Sequence, residues 1–488
     1  MTTPSTPLRP LICGLALALL SVGAQASGYR FGTQSAAAEG TANSNGAEAA
    51  DASTIFANPA GLTRLSGMRF SGVLDYVEPK VRFTDAGSYI SLPGSGLQPR
   101  ATSQAGDVQS PAGPAYVPHF YASYPLNDRM VAGFGTFVPW GAKLNYRENW
   151  GGRYNIQKVV LKSIAFNPNL AYKATDTLSV AAGVVAQYME GEIKRAVPYA
   201  SAYAAGLLAA AQQAAAGGAP ALALQLQQQA ALTFGDPQYD GAIKVDGKDW
   251  GLGLNLALLW EPTADTRLGL SYRSAVKQKI KGKGDWTQPA NLPATVLAAI
   301  RATPYDGLGK LDHNDSDASV SVRTPESLAF QVFHQLTPSL ALMADATWMR
   351  QSRLEQLRID FESSTPDSIS PEHWEDTLRL SLGANWKVNK ELTLRAGFAK
   401  EKSPVPSVTR SPVLPDAHRN WTTLGANFQV ATHTSLDFAI GVIDVKDAAM
   451  SITDDAEGEK PCNCSNATVR GNYNSKANFF GLQLNHKF

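Results

Sequence analysis

The run Trp250-Gly251-Leu252-Gly253-Leu254-Asn255-Leu256-Ala257-Leu258-Leu259-Trp260 decides the fold. Every even position is large and apolar; the odd ones are mostly small or polar. A period of two is that of a strand with one greasy face. Indoles close the run at both ends, as aromatic girdles do where a strand meets the two membrane interfaces. A soluble sheet has no use for tryptophan at both ends.

The pattern recurs at Leu378, Leu380, Leu382, Ala384 and Trp386, then at Leu392, Leu394, Ala396 and Phe398, and again at Leu436, Phe438, Ile440 and Val442. Alternation fits a soluble barrel turned inside out equally well, so the connections must decide. Short links fall at 125–128, 173–177, 262–266, 336–339, 388–391 and 431–434. Long ones fall between them, at 79–114, 197–244, 280–318, 355–371, 401–417 and 446–472. Tight turns at one rim and long loops at the other mark an outer-membrane barrel. Counting between the links predicts about fourteen antiparallel strands in an all-β transmembrane barrel, the first near Met68 to Tyr76. The last ends on the terminal Phe488, the ending that barrel-assembly machinery reads.

The N-terminus fits that destination. Arg9 precedes the apolar run from Leu11 to Ala24, and Ala24-Gln25-Ala26 forms a small-residue cleavage site, so 1–26 reads as a secretory signal. Beyond it no apolar run reaches the ~18 residues of a membrane helix. Of three cysteines, Cys13 falls in the signal; Cys462 and Cys464 leave open a local disulfide or a metal contact. A formal charge of +1 gives no footprint for nucleic acid. Seven histidines lie scattered without a serine or aspartate motif, so no enzyme, metal site or cofactor is expected. An aqueous porin would need neither apolar loop helices nor a plug.

A barrel of this size has an open lumen unless something fills it. Residues 27–66 can, since Ile55, Phe56 and Leu62 flank a turn at Asn58-Pro59-Ala60-Gly61. That segment is read as a hatch, and 67–488 as the barrel. The outer loop at 197–244 reads as two helices broken at Gly217-Gly218-Ala219-Pro220, with Tyr199, Tyr203 and Leu207 on one face and Leu222 and Leu226 on another. The loop at 280–318 adds Trp286, Leu292, Val296, Leu297 and Ile300. Together Tyr199, Tyr203, Leu207, Leu222, Leu226, Trp286 and Leu297 are candidates for an apolar groove that captures ligand.

One strand is faulted. From Gly133 to Tyr146 the even positions Phe134, Thr136, Val138, Trp140, Ala142, Leu144 and Tyr146 form an apolar face, yet Gly135, Pro139 and Gly141 interrupt it. Proline lacks the N–H a ladder needs, and glycine permits a bend.

These residues have a familiar order. The chain resembles the FadL family of outer-membrane transporters of long-chain fatty acids and, in relatives, aromatic hydrocarbons. The likeness rests on Asn58-Pro59-Ala60, then Trp250-Gly251 with Gly253 and Asn255, then Tyr272-Arg273-Ser274 with Val276-Lys277. Its most specific part is Ser403-Pro404-Val405-Pro406 followed by Arg410, Pro415-Asp416, Arg419 and Trp421. The resemblance implies a fourteen-stranded barrel with an N-terminal hatch, in the outer membrane beside lipid and lipopolysaccharide, working as a monomer. It implies an outer groove, an inner pocket, and lateral release of ligand where the third strand kinks at Gly135, Pro139 and Gly141. It also implies a basic anchor at the end of the fifth strand, where Arg195 stands. A second is implied near the start of the tenth, where Glu375 and Asp376 stand instead and Arg379 follows. The new N-terminus, Ser27 to Tyr29, is implied to reach the pocket. Fatty acids are the expected ligand; aromatic or aliphatic hydrocarbons are the alternative.

Overall fold

Each alternating run becomes one stave of a closed cylinder in the computed structural model, which describes residue 30 and residues 32–294, 296–298, 313–458 and 463–488. Strand β1 is Arg69–Asp85, β2 Ala115–Pro125, and β3 Met130–Phe137, resuming at Gly141–Asn145. Strands β4 and β5 are Lys158–Lys173 and Leu178–Pro198; β6 is Asp240–Trp260. Then β7 runs Thr266–Arg273 and Lys277–Thr287, and β8 Ser316–Arg323 and Ser327–Gln335. Strand β9 joins Leu340–Met349 to Gln356–Phe361, and β10 Ser368–Pro371 to Thr377–Lys387. The last four are β11 Leu392–Glu401, β12 Arg419–Ala431, β13 Thr434–Thr453 and β14 Ala467–Lys487. Neighbours pair antiparallel, and β14 returns to β1 from Arg69↔Lys487 to Asp85↔Gly471, closing a fourteen-stranded barrel.

The outside explains the alternation. Every strand turns at least one large apolar side chain outward, among them Leu74, Phe134, Phe330, Leu424 and Phe480. Leu252 is 73% exposed and Leu382 64%. At ~25 cal/mol per Å² of apolar surface, such a belt is tolerable only in lipid. Among the described residues no helix is long and apolar enough to cross a membrane. The inward positions are polar and bonded to one another: Asn167 donates to Asn255 at 2.8 Å, Asn255 to Asn169 at 2.7 Å, and Gln187 to Gln278 at 2.7 Å.

Several strands outrun their predicted ends. Strand β1 continues to Asp85 rather than stopping near Tyr76, β7 to Thr287, and β13 to Thr453. Their apolar alternation fades while the ladder bonds persist, because beyond the bilayer neither face needs to be greasy. Trp286 therefore sits on a strand rather than in a loop.

The N-terminal segment carries α1 (Ala36–Glu39), α2 (Thr54–Ala57) and a 3₁₀ turn, Pro59–Arg64. Short helices like these are not stable alone; the wall holds them. Tyr121 of β2 donates to Gln34 O at 3.0 Å, Ser35 to Gln483 of β14 at 2.8 Å, and Asn385 of β10 to Glu48 at 2.7 Å. Asn58 does double duty: its Oδ1 caps the 3₁₀ turn at Ala60 N–H, 3.1 Å, while its Nδ2 donates to Gln331 at 2.8 Å and to Leu258 O at 3.0 Å. Pro59, Ala60 and Gly61 are buried beside it.

Between β5 and β6 stand α3 (Tyr199–Ala216) and α4 (Pro220–Thr233). Their turn uses Gly218 at φ 79, a left-handed backbone that glycine adopts freely.

Candidate functional site

The wall is broken at β3. Its ladder with β2 runs from Pro125↔Val131 to Phe120↔Thr136 and ends there. Beyond the break, Gly141–Asn145 pairs with β4 alone, and Ala115–His119 of β2 pair with β1 alone. Against β4, Phe137 faces Ala165 and Gly141 faces Lys162: four steps along β3 against three along β4. One extra residue makes a bulge and reverses the faces. Phe134 points to lipid, whereas Trp140, Ala142, Leu144 and Tyr146 are buried. The even positions therefore do not form one continuous lipid face, as the alternation predicts. Pro139 lies in the interruption and Gly141 opens the second half. Gly135 does not bend the strand: it sits in an unbroken ladder between Tyr121 and Asn167. A Cβ there would press on Ile55 and Tyr121, each 3.1 Å away, so this glycine admits the N-terminal segment instead.

The peptide groups freed by the break find other partners. Val138 N–H donates to His119 Nδ1 at 3.3 Å, and Val138 O accepts from Gln34 Nε2 at 2.7 Å. Trp140 N–H donates to Ser163 Oγ at 3.0 Å, and that hydroxyl donates back to Trp140 O at 2.6 Å. Arg30 forms an antiparallel bridge with Trp140, so the start of the N-terminal segment lies on the break itself.

A cavity of about 1150 Å³ adjoins the break, lined by Arg30, Phe56, Pro139, Trp140, Arg273, Met349 and Arg379 among others. A second, of about 890 Å³, is walled by Val159, Leu161, Ile193, Val245, Ile280 and Leu357. One apolar layer joins them: Trp140 and Met349 face the first, Leu161 and Ile280 the second, and Met189 and Trp374 pack between. Glu372 is the acid to note in the second cavity. Burial pushes its carboxyl up to about 7, opposed by hydrogen bonds from the Trp374 indole at 2.9 Å and Ser370 at 3.3 Å.

The expected site residues scatter along this route. Arg195 does stand near the end of β5, but it lines a third space of about 780 Å³ and pairs with Asp454 at 3.0 Å and Asn463 O at 2.5 Å. Arg379 lines the cavity at the break, 3.8 Å from Asp345. Glu375 pairs with Lys402 at 2.7 Å near the surface. The outer-groove set divides. Tyr199, Trp286 and Leu297 join one cluster with Phe361 and Val245, and Trp286 stacks on His313 at 4.3 Å. Tyr203 meets Tyr239 edge to face at 6.0 Å, and Leu207 packs beneath α4 with Ala230 and Phe234. Leu222 is exposed and Leu226 half-buried. Ser27, Tyr29, Ile300, Cys462 and the signal lie outside the described residues; Cys464 is disulfide-bonded.

The sequence reading missed Arg30 and Arg273 at the inner cavity. It also missed the wall glycines that admit the N-terminal segment: a Cβ at Gly397 would collide with the backbone of Thr41 and Ala42, and one at Gly425 would lie 2.8 Å from Gly40 Cα. Their signal was present, since both are glycines at inward positions of otherwise regular strands.

A lipid-girdled barrel whose lumen is packed by its own N-terminal segment, with cavities inside of which one is almost wholly apolar, defines an outer-membrane transporter of hydrophobic compounds. The family described as outer membrane protein transport protein (OMPP1/FadL/TodX) matches residues 17–488, and the chain belongs to it. A putative outer membrane protein of Neisseria meningitidis serogroup B is 32% identical over 500 residues, covering 100% of both chains. The long-chain fatty acid transport protein of Escherichia coli O6:H1 is 27% identical over 479 residues, 97% of each. In structure, a Pseudomonas aeruginosa FadL homologue superposes at TM-score 0.78 with 23% identity, covering 94% of this chain and 100% of that one. The Ralstonia pickettii toluene transporter TbuX gives 0.57 at 18%, covering 90% and 94%.

Proposed function

We propose that this chain takes up long-chain fatty acids and releases them sideways into the outer membrane through the break in β3. The observation that carries the reading is the missing β2–β3 ladder beside a cavity lined by Arg30, Arg273 and Arg379. A fatty acid needs an apolar channel for its tail, a cation for its head, and an exit that avoids water. The second cavity supplies the channel, the arginines the cation, and the break the exit. In this reading residues 27–66 act as the hatch, and lifting the Arg30–Trp140 bridge clears the doorway formed around Pro139 and Gly141. Leu222, Leu224 and Leu232, exposed on α4, offer the first greasy contact outside the membrane, with Tyr203 and Leu207 beneath. Arg195 and Arg379 steer the carboxylate inward. Phe488, 65% exposed, remains available to the assembly machinery, and the monomer sits among lipid and lipopolysaccharide.

The almost wholly apolar second cavity favours one other reading, uptake of aromatic or aliphatic hydrocarbons by the same route. Uptake of labelled oleate and of toluene by a deletion strain carrying this chain separates the two. Oleate rescue without toluene rescue is expected; the reverse would overturn the fatty-acid assignment.

A further inference from the structure

Most buried arginines among the described residues are matched to acids; Arg267, which donates to Glu48 O at 2.6 Å and lies over the Phe333 ring, is not. Arg395 pairs with Asp437, Arg419 with Asp416, Arg195 with Asp454 and Arg379 with Asp345. Arg273 of β7 is different. Its Nη2 donates to Phe56 O at 3.1 Å, and its guanidinium lies 5.1 and 5.2 Å from the ring centres of Phe56 and Phe137. Its Nη1 is buried with no acceptor. Among the described residues no carboxylate oxygen comes within 4.0 Å of it. Arg30 lines the same cavity and reaches Met349 Sδ at 3.0 Å, again with no carboxylate within 4.0 Å.

The two acids of that cavity are already engaged. Asp345 accepts from Thr347 at 2.5 Å and faces Arg379, and Asp51 accepts from Ser53 N–H at 2.8 Å. Arg30, Arg273 and Arg379 thus outnumber Asp51 and Asp345 in the cavity lining; Glu401, just outside it, acts on Arg30, which leaves Arg273 as the guanidinium with no acid of its own. A guanidinium out of water with spare donors is costly unless an anion completes it. The space in front of it is apolar at Phe56, Pro139, Trp140 and Met349.

We propose that Arg273, with Arg30 in the same cavity, seats the ligand's carboxylate at the last station before the break. The planar fork of Arg273 offers two parallel N–H groups to the two carboxylate oxygens, and the tail lies along Trp140 and Met349. Because Arg273 also holds Phe56 O and stacks on Phe137, the same guanidinium touches the N-terminal segment and the last residue before the break. A carboxylate bound there competes with Phe56 O for the donor. This assignment rests on the fatty-acid reading and narrows it: the inner site selects for the anionic head, not merely for grease.

The test is equilibrium binding of oleate and of oleyl alcohol, the same chain without the charge, to the purified full-length barrel. Wild type should favour oleate by about tenfold or more, the worth of one charged hydrogen-bonded contact. Arg273→Gln should lose that preference, binding the two ligands with similar affinity. Arg273→Lys, which keeps the charge but not the fork, should keep part of it. Equal affinity of wild type for the two ligands, or an undiminished preference in an assembled Arg273→Gln barrel, would overturn the carboxylate seat and leave the fatty-acid reading standing. The wild-type comparison needs no variant, so it holds even if Arg273→Gln fails to assemble. Wild type that binds neither oleate nor oleyl alcohol yet transports toluene would overturn both.

Discussion

Gly397 shows how much a single hydrogen can decide. It occupies an inward position of β11, and any side chain there meets the backbone of Thr41 and Ala42. A few ångströms away the same turn is held by Ala42 N–H donating to Thr423 Oγ1 at 3.0 Å. Gly397→Val should therefore displace the turn at a cost of about 1–3 kcal/mol, the usual range for overpacking. The barrel's other contacts would remain. Protease cleavage of the N-terminal segment reads this directly: faster cutting is expected in Gly397→Val barrels, and wild-type protection would contradict the docking. Residues of this kind were hard to read from the sequence. A glycine opposite lipid-facing leucines looks like filler until the segment it admits is in place. In the sequence Arg273 stands out only as part of the Tyr272-Arg273-Ser274 tripeptide, because nothing local tells a paired lumen arginine from an unpaired one.

At the scale of the element, the break in β3, where the exit is proposed, was partly legible. Pro139 marked the place, since a residue without an N–H cannot sit in a central ladder. The consequence was not legible: apolar residues at even positions on both sides of the fault conceal the one-residue slip that moves Trp140 and Leu144 from the lipid face to the lumen. Outward residues face lipid and the inward ones here face a greasy cavity, so both halves look alike. Gly141 is the first residue after the slip, beside the proposed exit. Gly141→Phe should reduce oleate uptake severalfold while leaving heat-resistant, assembled barrel; unchanged uptake would count against the exit. The helices α3 and α4 were read correctly as two, broken at Gly217 to Pro220. On them Ala204, Ala211, Ala223 and Ala230 are buried, while Leu222, Leu224 and Leu232 stay exposed.

At the scale of the molecule, barrel class and strand number followed from two physical contrasts that sequence records well: greasy against polar, and short link against long. Closure of β14 on β1 leaves no edge for the bilayer to punish. What local pattern does not encode is depth along the barrel axis. For that reason the strand extensions above the bilayer, and the pairing of Arg195 with Asp454, emerged only in three dimensions.

The claim that ligand leaves through the wall is tested most directly by photolabelling. A diazirine-bearing oleate, activated while cells import it, should mark Tyr116 to Pro118 of β2 and Val138 to Ala142 at the break. Labelling confined to the short turns at 125–128 and 173–177, with none at the break, would mean that the fatty acid passes straight down the bore and would contradict the account.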